Sequence, residues 1–505
     1  MKTILDYLER TCSSYPEKIA ITDAHSEDSF HMLTERARKI GSGLISSIKT
    51  IGQPIAVFMD KSVACLETML GILYSGNCYV VLDTKSPGER LGKILDTLLP
   101  AAIISDEKAC PICKAIVQER EIPVLLYESL KDNHVNDSEL TIVYGKIIDT
   151  DPMYILFTSG STGVPKGVVI SHRAAVTYTH WVVNTFNISS ETIWGSQTPF
   201  YFSMSVTDVF STLMAGATLH IIPKMLFSFP VTLLEFLNEK KINSVYWVPS
   251  ALNIVANMDA LSALKPETLK KILFAGEVMQ TKQLNIWRKA LPDAFFANLF
   301  GPTETTDICT YYVVDRTFSD TESLPIGRAC DNCGIMVVTD EGHLASTGEA
   351  GEMYVRGSFL ADGYYNNPKQ TQAAFILNPF NHAYPETVYK TGDLVAYNQR
   401  GELMYLSRKD FQIKHMGYRI ELGEIETAIN GISGIICAAC IYDLEKKQIV
   451  LFYQGSPDEQ YISREATLRL PAYMCPNRVV KLDKMLYNAN GKIDRKTLQQ
   501  ICKGE

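Results

Sequence analysis

Short apolar runs recur along this chain, and stretches of helical period separate them. Ile55-Ala-Val-Phe58, Cys78-Tyr-Val-Val-Leu82 and Ala101-Ala-Ile-Ile104 are continuous apolar runs of strand length. Residues 63–74 and 88–99 between them read as helices, the second opening just behind Pro87. The rhythm resumes in Thr218-Leu-His-Ile-Ile222, a helix over 231–240, Ser244-Val-Tyr-Trp-Val248 and Lys271-Ile-Leu-Phe-Ala275. Strands alternating with helices predict layered α/β structure with parallel pairing. After about Pro325 the texture changes to short strands and glycine turns, as in Gly351-Glu-Met-Tyr-Val-Arg-Gly357, which predicts a small β-rich subdomain. A further change falls at Ser407-Arg-Lys-Asp-Phe-Gln-Ile-Lys414, and the residues C-terminal to it have the size of a small α+β domain. The predicted boundaries are 1–409 for a large N-terminal domain and 410–505 for a small C-terminal one.

Composition narrows the classes. At 505 residues the chain exceeds one compact core. Hydrophobic residues at 46% and charged residues at 21% mark a globular protein, not a disordered one. The net charge of −8 argues against nucleic acid as a partner. No apolar run reaches the length of a membrane span. The first ten residues predict an amphipathic helix without the apolar core of a signal peptide. A cytoplasmic protein with no membrane partner is therefore expected. Six of the twelve cysteines form C-x-x-C pairs, Cys110/Cys113, Cys330/Cys333 and Cys437/Cys440. Zinc would suit that spacing, but no histidine pair accompanies them, and Cys437-Ala-Ala-Cys440 lies inside an apolar strand. Packed thiols are the expectation.

The chemistry starts at Tyr154-Ile-Leu-Phe-Thr-Ser-Gly-Ser-Thr-Gly-Val-Pro-Lys-Gly167. A buried strand opens into a loop of hydroxyls and glycines. Gly160 and Gly163 let backbone N–H groups approach an anion, and Lys166 adds a point charge for a phosphate. The spacing is not that of the P-loop, which needs G-x-x-x-x-G-K-[ST] before a helix. Further blocks are Gly76-Asn-Cys-Tyr-Val-Val-Leu-Asp83, Asn298-Leu-Phe-Gly-Pro-Thr-Glu-Thr-Thr306, Gly363-Tyr364 and Tyr389-Lys-Thr-Gly-Asp393. They continue in Phe411-Gln-Ile-Lys-His-Met-Gly-Tyr-Arg-Ile-Glu421, Leu470-Pro-Ala-Tyr-Met-Cys-Pro476 and Asn490-Gly-Lys-Ile-Asp494. Together they resemble the adenylate-forming enzymes. The wording is similar to the adenylation domains of nonribosomal peptide synthesis and to free-standing D-alanine–carrier protein ligases.

That resemblance implies an ATP-dependent acid–thiol ligase: ATP and Mg²⁺ as cofactors, a small carboxylic acid as substrate, a separate acyl or peptidyl carrier protein as partner, and a monomer. It implies an ATP site made by Thr158, Ser159, Gly160, Ser161, Thr162, Gly163, Lys166, Asn298, Phe300, Gly301, Thr303, Asp393, Arg408 and Lys492. Within it Glu304 would hold the metal, Asn298 and Phe300 the adenine, and Asp393 with Arg408 the ribose. Lys492 would bridge the acid and the α-phosphate, with Lys166 and Glu304 as further catalytic groups. Asp410 falls at the family's hinge, about which the mobile C-terminal domain presents the 411–421 face and Gly417 for thioester formation. No carrier domain is expected after Asn490-Gly-Lys-Ile-Asp494.

The acid pocket departs from the pattern. Amino-acid-activating relatives carry an Asp after the aromatic residue of the block matching Phe202-Ser-Met-Ser-Val-Thr-Asp-Val-Phe210; here Ser203 stands there, and Asp208 matches a structural acid. The resemblance places Ser203, Met204, Thr207, Tyr246, Leu273, Ala275, Leu299, Asp307 and Ile308 around the acid. Asp307 is the one carboxylate of the set and needs a partner, such as a displaced amine or a hydroxyl. A β-amino or hydroxy-substituted aryl acid is expected. The alternatives are D-alanine or another α-amino acid, coenzyme A as acceptor, or an inactive adenylate-binding scaffold; the presence of Lys166, Glu304, Asp393 and Lys492 together favours the enzyme.

Overall fold

The computed structural model describes residues 1–118, 120–160, 163–410, 412–487 and 493–503. Residue contacts divide the chain into two compact units. The first comprises Met1–Asp83, Leu99–Leu156 and Val168–Lys409; the second comprises Thr84–Leu98, Phe157–Gly167 and Asp410–Glu505.

The first unit contains a nine-stranded sheet. Its spatial order is Arg328–Ala329, Thr310–Val313, Phe295–Phe300, Lys271–Phe274, Ser244–Trp247, Ile193–Ser196, Thr218–Ile221, Ile19–Thr22 and Glu27–Ser29. Pairing from Phe295–Phe300 across to Ile19–Thr22 is parallel. A parallel strand is covered on both faces, which is why these strands read as unbroken apolar runs. Pro54–Phe58, Cys78–Val81 and Ala102–Ser105 pair in parallel in a seven-stranded sheet. Their ends fall within one residue of the runs in the sequence. A third sheet is five-stranded and antiparallel and includes Gly351–Gly357, Thr387–Tyr397 and Leu403–Arg408; it is the expected β-rich subdomain. The N-terminal helix begins at Ile4, because the Asp6 side chain reaches back to accept from the Thr3 N–H at 3.0 Å. One continuous core runs through the α/β layers and buries Trp194, Trp247 and Trp287 completely.

In the second unit a hairpin, Gln412–His415 with Tyr418–Glu421, leads into the helix Leu422–Asn430. The strands Ile435–Asp443, Gln448–Gly455 and Arg478–Lys481 form a three-stranded sheet. Strand alternation splits its apolar side chains between two cores. Ala438, Cys440, Leu451 and Tyr453 pack with Ile425, Ile429 and Ile462, whereas Ala439, Ile441, Val450 and Phe452 pack with Leu498 and Cys502. Cys437 and Cys440 therefore point to opposite faces of one strand. Cys110, Cys113 and Cys330 are buried thiols, with Cys113 pushed up to about 12 by burial.

Candidate active site

The residues expected around the acid gather on one face of the nine-stranded sheet. Parallel register sets Tyr246 beside Leu273 and Leu273 beside Ala297. Two residues further along, Ala275 and Leu299 point the same way. Tyr246, Leu273, Ala275 and Leu299 are all buried, as are Met204, Thr207 and Ile308. The helix Ser205–Ala215 contributes Thr207, and the helix His172–Thr185 contributes Tyr178.

Asp307 joins these elements. Its Oδ2 accepts hydrogen bonds from Tyr178 Oη at 3.0 Å, Tyr246 Oη at 3.0 Å and Thr207 Oγ1 at 3.1 Å. The Ser203 hydroxyl lies near the same carboxyl and accepts from Thr303 Oγ1 at 3.4 Å. Burial pushes the Asp307 carboxyl up to about 6, and the neighbouring hydroxyls of Tyr178, Tyr246, Thr207 and Ser203 hold it from rising further. No lysine or arginine pairs with it among the described residues. Asp208 differs: the Lys61 ammonium and the Ser196 hydroxyl offset its burial, which leaves it at about 6, while burial lowers Lys61 to about 8. Lys61 Nζ also donates to Ser196 Oγ at 2.7 Å. Asp208 thus has a protein cation near it and, among the described residues, Asp307 has none.

Asp307 ends a tight turn that starts at Gly301. A Cβ on Gly301 would stand 2.4 Å from the Asp307 carbonyl oxygen, so only glycine lets the turn fold back here. Thr306 has φ 68° and ψ −56°, a strained conformation for a β-branched residue. Its hydroxyl donates to Phe359 O at 2.8 Å and holds it there. Glu304 lies in the same turn, fully buried, and its Oε1 accepts from Tyr364 Oη at 2.7 Å.

The strand Phe295–Phe300 carries Asn298 on the other face. Its Nδ2 donates to Pro325 O at 2.8 Å, and its Oδ1 accepts nothing among the described residues. The Phe300 ring packs against Tyr405, with centroids 5.6 Å apart. Tyr405 shares a strand with Arg408, which faces Asp393 in register and bonds its Oδ1 at 2.7 Å. Both side chains are more than nine-tenths buried. Asn298, Phe300, Asp393 and Arg408 are thus brought together by two sheets of one unit.

The glycine loop belongs to the second unit. Gly163 N donates to Gly160 O at 3.0 Å, and a Cβ on Gly160 would stand 2.0 Å from Val164 O. Ser159 Oγ donates to Arg419 O and accepts from Glu421 N. Gly160 N donates to Glu424 Oε2 at 3.2 Å, and Glu424 Oε1 pairs with Arg90 Nη1 at 2.6 Å. The Thr158 hydroxyl is buried without a hydrogen-bond partner among the described residues, and Lys166 is buried. Asp410 Oδ1 accepts from Gln412 N. Ser161, Thr162, Phe411 and Lys492 lie outside the described residues. Sequence reasoning missed Tyr178, Tyr364, Arg90 and Glu424 as groups that hold the site. Tyr364 alone had a signal, since it sits in the Gly363-Tyr364 block.

The sequence profile of the AMP-binding enzymes matches residues 8–365. This chain belongs to the AMP-binding enzyme family. Like other members, it is an ATP-dependent adenylate-forming ligase. A D-alanine–D-alanyl carrier protein ligase of Lacticaseibacillus paracasei is 31% identical over 508 residues, which cover 98% of this chain and 98% of that one. An L-proline–[L-prolyl-carrier protein] ligase of Streptomyces coelicolor is 32% identical over 492 residues, 92% of this chain and 90% of its own. The adenylation domain AlmE of Vibrio cholerae, solved with glycyl-adenosine-5'-phosphate, superposes with a TM-score of 0.86. It covers 100% of this chain and 98% of its own at 21% identity, and so agrees in fold.

Proposed function

We propose that this AMP-binding enzyme activates a β-amino or hydroxy-substituted aryl acid as its acyl adenylate. It then transfers the acyl group to the phosphopantetheine thiol of a separate carrier protein. The observation that carries the acid's class is Asp307, a buried carboxylate with no protein cation among the described residues; the sequence resemblance puts Ser203 where amino-acid-activating relatives carry their α-amino-binding Asp. In the first step a carboxylate oxygen of the acid attacks the α-phosphorus of ATP, and the bond to pyrophosphate breaks. Both reactants are anions, so positioning and charge neutralisation do the catalysis.

Lys166 and Lys492 supply cationic charge, Lys492 at the bond being made. The glycine loop offers N–H groups and the Thr158 hydroxyl to phosphate oxygens. Asn298 Oδ1 can accept from the adenine amine, and Phe300 flanks the base. Asp393, held by Arg408, accepts from the ribose hydroxyls. Glu304 is one buried carboxylate rather than a cage of ligands, which suits Mg²⁺ bound by a single side chain and phosphates. The metal would neutralise phosphate charge there.

The D-alanine reading is supported by the likeness to D-alanine ligases, and Ser203 stands against it. Incubation with ATP, an acid panel and either a phosphopantetheinylated carrier protein or coenzyme A tests the proposal, with products weighed by intact-mass spectrometry. An acylated carrier is expected. Preferential acyl-coenzyme A formation would overturn the acceptor, and preferential loading of an ordinary α-amino acid would overturn the acid class.

A further inference from the structure

Resting on that reading, we infer that the group seated on Asp307 is the substrate's ammonium, one or two carbons beyond the α position, and that Tyr178 is the positioning residue that aims the carboxylate at it. Three hydroxyls converge on Asp307 Oδ2, and because Tyr178 Oη and Thr207 Oγ1 also share a proton between them, two protons point at the carboxylate. A carboxylate so surrounded is held as an acceptor in its charged form. A neutral substrate hydroxyl would add one more donor and leave the charge buried without a counter-ion. An ammonium supplies both the proton and the compensating charge. The other titratable groups that feel Asp307 are Tyr154, Tyr178, Tyr246 and Cys330, all pushed up by burial and neutral. Asp208 bears on the site through Tyr246, and Lys61 stands beside Asp208, not Asp307.

The Tyr154 hydroxyl is a further buried polar group within reach of the Asp307 charge. It is fully buried, feels the Asp307 charge and has no hydrogen-bond partner among the described residues. The depth follows from Ser203, whose hydroxyl lies near enough to the Asp307 carboxyl to bear on its protonation. The carboxylate therefore lies at least one polar contact, roughly 3 Å or more, past that side chain. At about 1.5 Å per carbon bond, the amine moves one or two carbons outward from the α position.

Tyr178 enters from the helix His172–Thr185, and its ring is fixed edge-on against Phe359 at 5.5 Å. Its hydroxyl bonds both Thr207 Oγ1 at 2.6 Å and Asp307.

The test is pyrophosphate exchange by the full chain with matched acids that differ only in amine, hydroxyl or methyl at the β or γ carbon. At pH 8 the amino acid is expected to exceed its hydroxyl partner in kcat/KM by at least about tenfold, one charge-assisted hydrogen bond's worth. That ratio should fall as pH drops through about 6, where Asp307 takes up its proton. Asp307→Asn should collapse the ratio toward one. Tyr178→Phe removes a donor from the charged form, so it should keep the preference and move the midpoint of the ratio to higher pH. A residue that only packed would not shift that midpoint. An unmodified enzyme with no preference for the amine, or a preference that survives Asp307→Asn, overturns the inference while leaving the proposed function standing. An α-amino acid as the fastest substrate, or no exchange with any acid, overturns the proposed function and the inference with it. The pH dependence of the unmodified protein decides the matter if a variant does not fold.

Discussion

At neutral pH the Asp307 carboxyl is ionised although it is buried, because its raised value of about 6 still lies below the pH. Its ordinary value is 3.8, so the folded protein prefers the protonated form more than the unfolded chain does. This stabilising contribution is therefore complete below pH 3.8 and is lost as pH rises through about 6, at a cost of up to about 3 kcal/mol. Asp307→Asn removes that cost. Its melting temperature should exceed that of the unmodified protein at pH 8, the two should converge near pH 4, and calorimetry at both pH values checks it. Such a gain in exchange for a lost binding group is a common trade-off between stability and activity. In the same turn, Gly301→Ala places a Cβ 2.4 Å from the Asp307 carbonyl. Overpacking of this kind costs about 1–3 kcal/mol, and pyrophosphate exchange should fall more than stability does, because Glu304 and Asp307 move together.

Lys492→Ala should abolish adenylate formation while ATP binding stays nearly intact, since the lysine acts in the transition state; near-full exchange by this variant would remove the role. Asp307 and Glu304 were singled out in the sequence because they sit in or beside a motif that fixes their neighbours. Tyr178 was not, because one tyrosine in an apolar helix looks like core, and only folding shows where its hydroxyl ends.

At the scale of elements, the buried parallel strands were readable to within a residue because both faces are covered and the run is therefore apolar throughout. Pairings between distant charges have no such trace. Arg90 and Glu424 are 334 residues apart in sequence and meet at 2.6 Å, with side chains 7% and 5% exposed. Burial raises the Glu424 carboxyl and Arg90 opposes the rise. Arg90→Ala strands a buried carboxylate, for which about 3–5 kcal/mol is typical. Denaturant unfolding should register that loss, and Glu424→Gln added to it should recover most, because no charge is then left unpaired. A double variant as unstable as Arg90→Ala would mean that Arg90 acts through packing.

For the whole molecule, the texture change at 407–414 in the sequence lies beside the junction of the two units between Lys409 and Asp410. Nothing in the residue pattern signals that Thr84–Leu98 and Phe157–Gly167 belong with the later residues; their membership arises from tertiary packing. We propose that Asp410 is the hinge between half-reactions. Asp410→Pro would fix φ there, so thioester formation should fall at least about tenfold further than adenylation, a selectivity of order 1.4 kcal/mol. Equal loss of both would signal damage to the fold.

The most direct measurement is ATP–pyrophosphate exchange by the unmodified enzyme across α-amino, β-amino, aryl and hydroxy acids at one pH near 8. The highest kcat/KM is expected for an acid with its amine displaced from the α carbon, and at least about a hundredfold less for ordinary α-amino acids, as the loss of a buried charge partner implies. D-Alanine or another ordinary α-amino acid as the fastest substrate would contradict the assignment of Asp307 as the amine's partner.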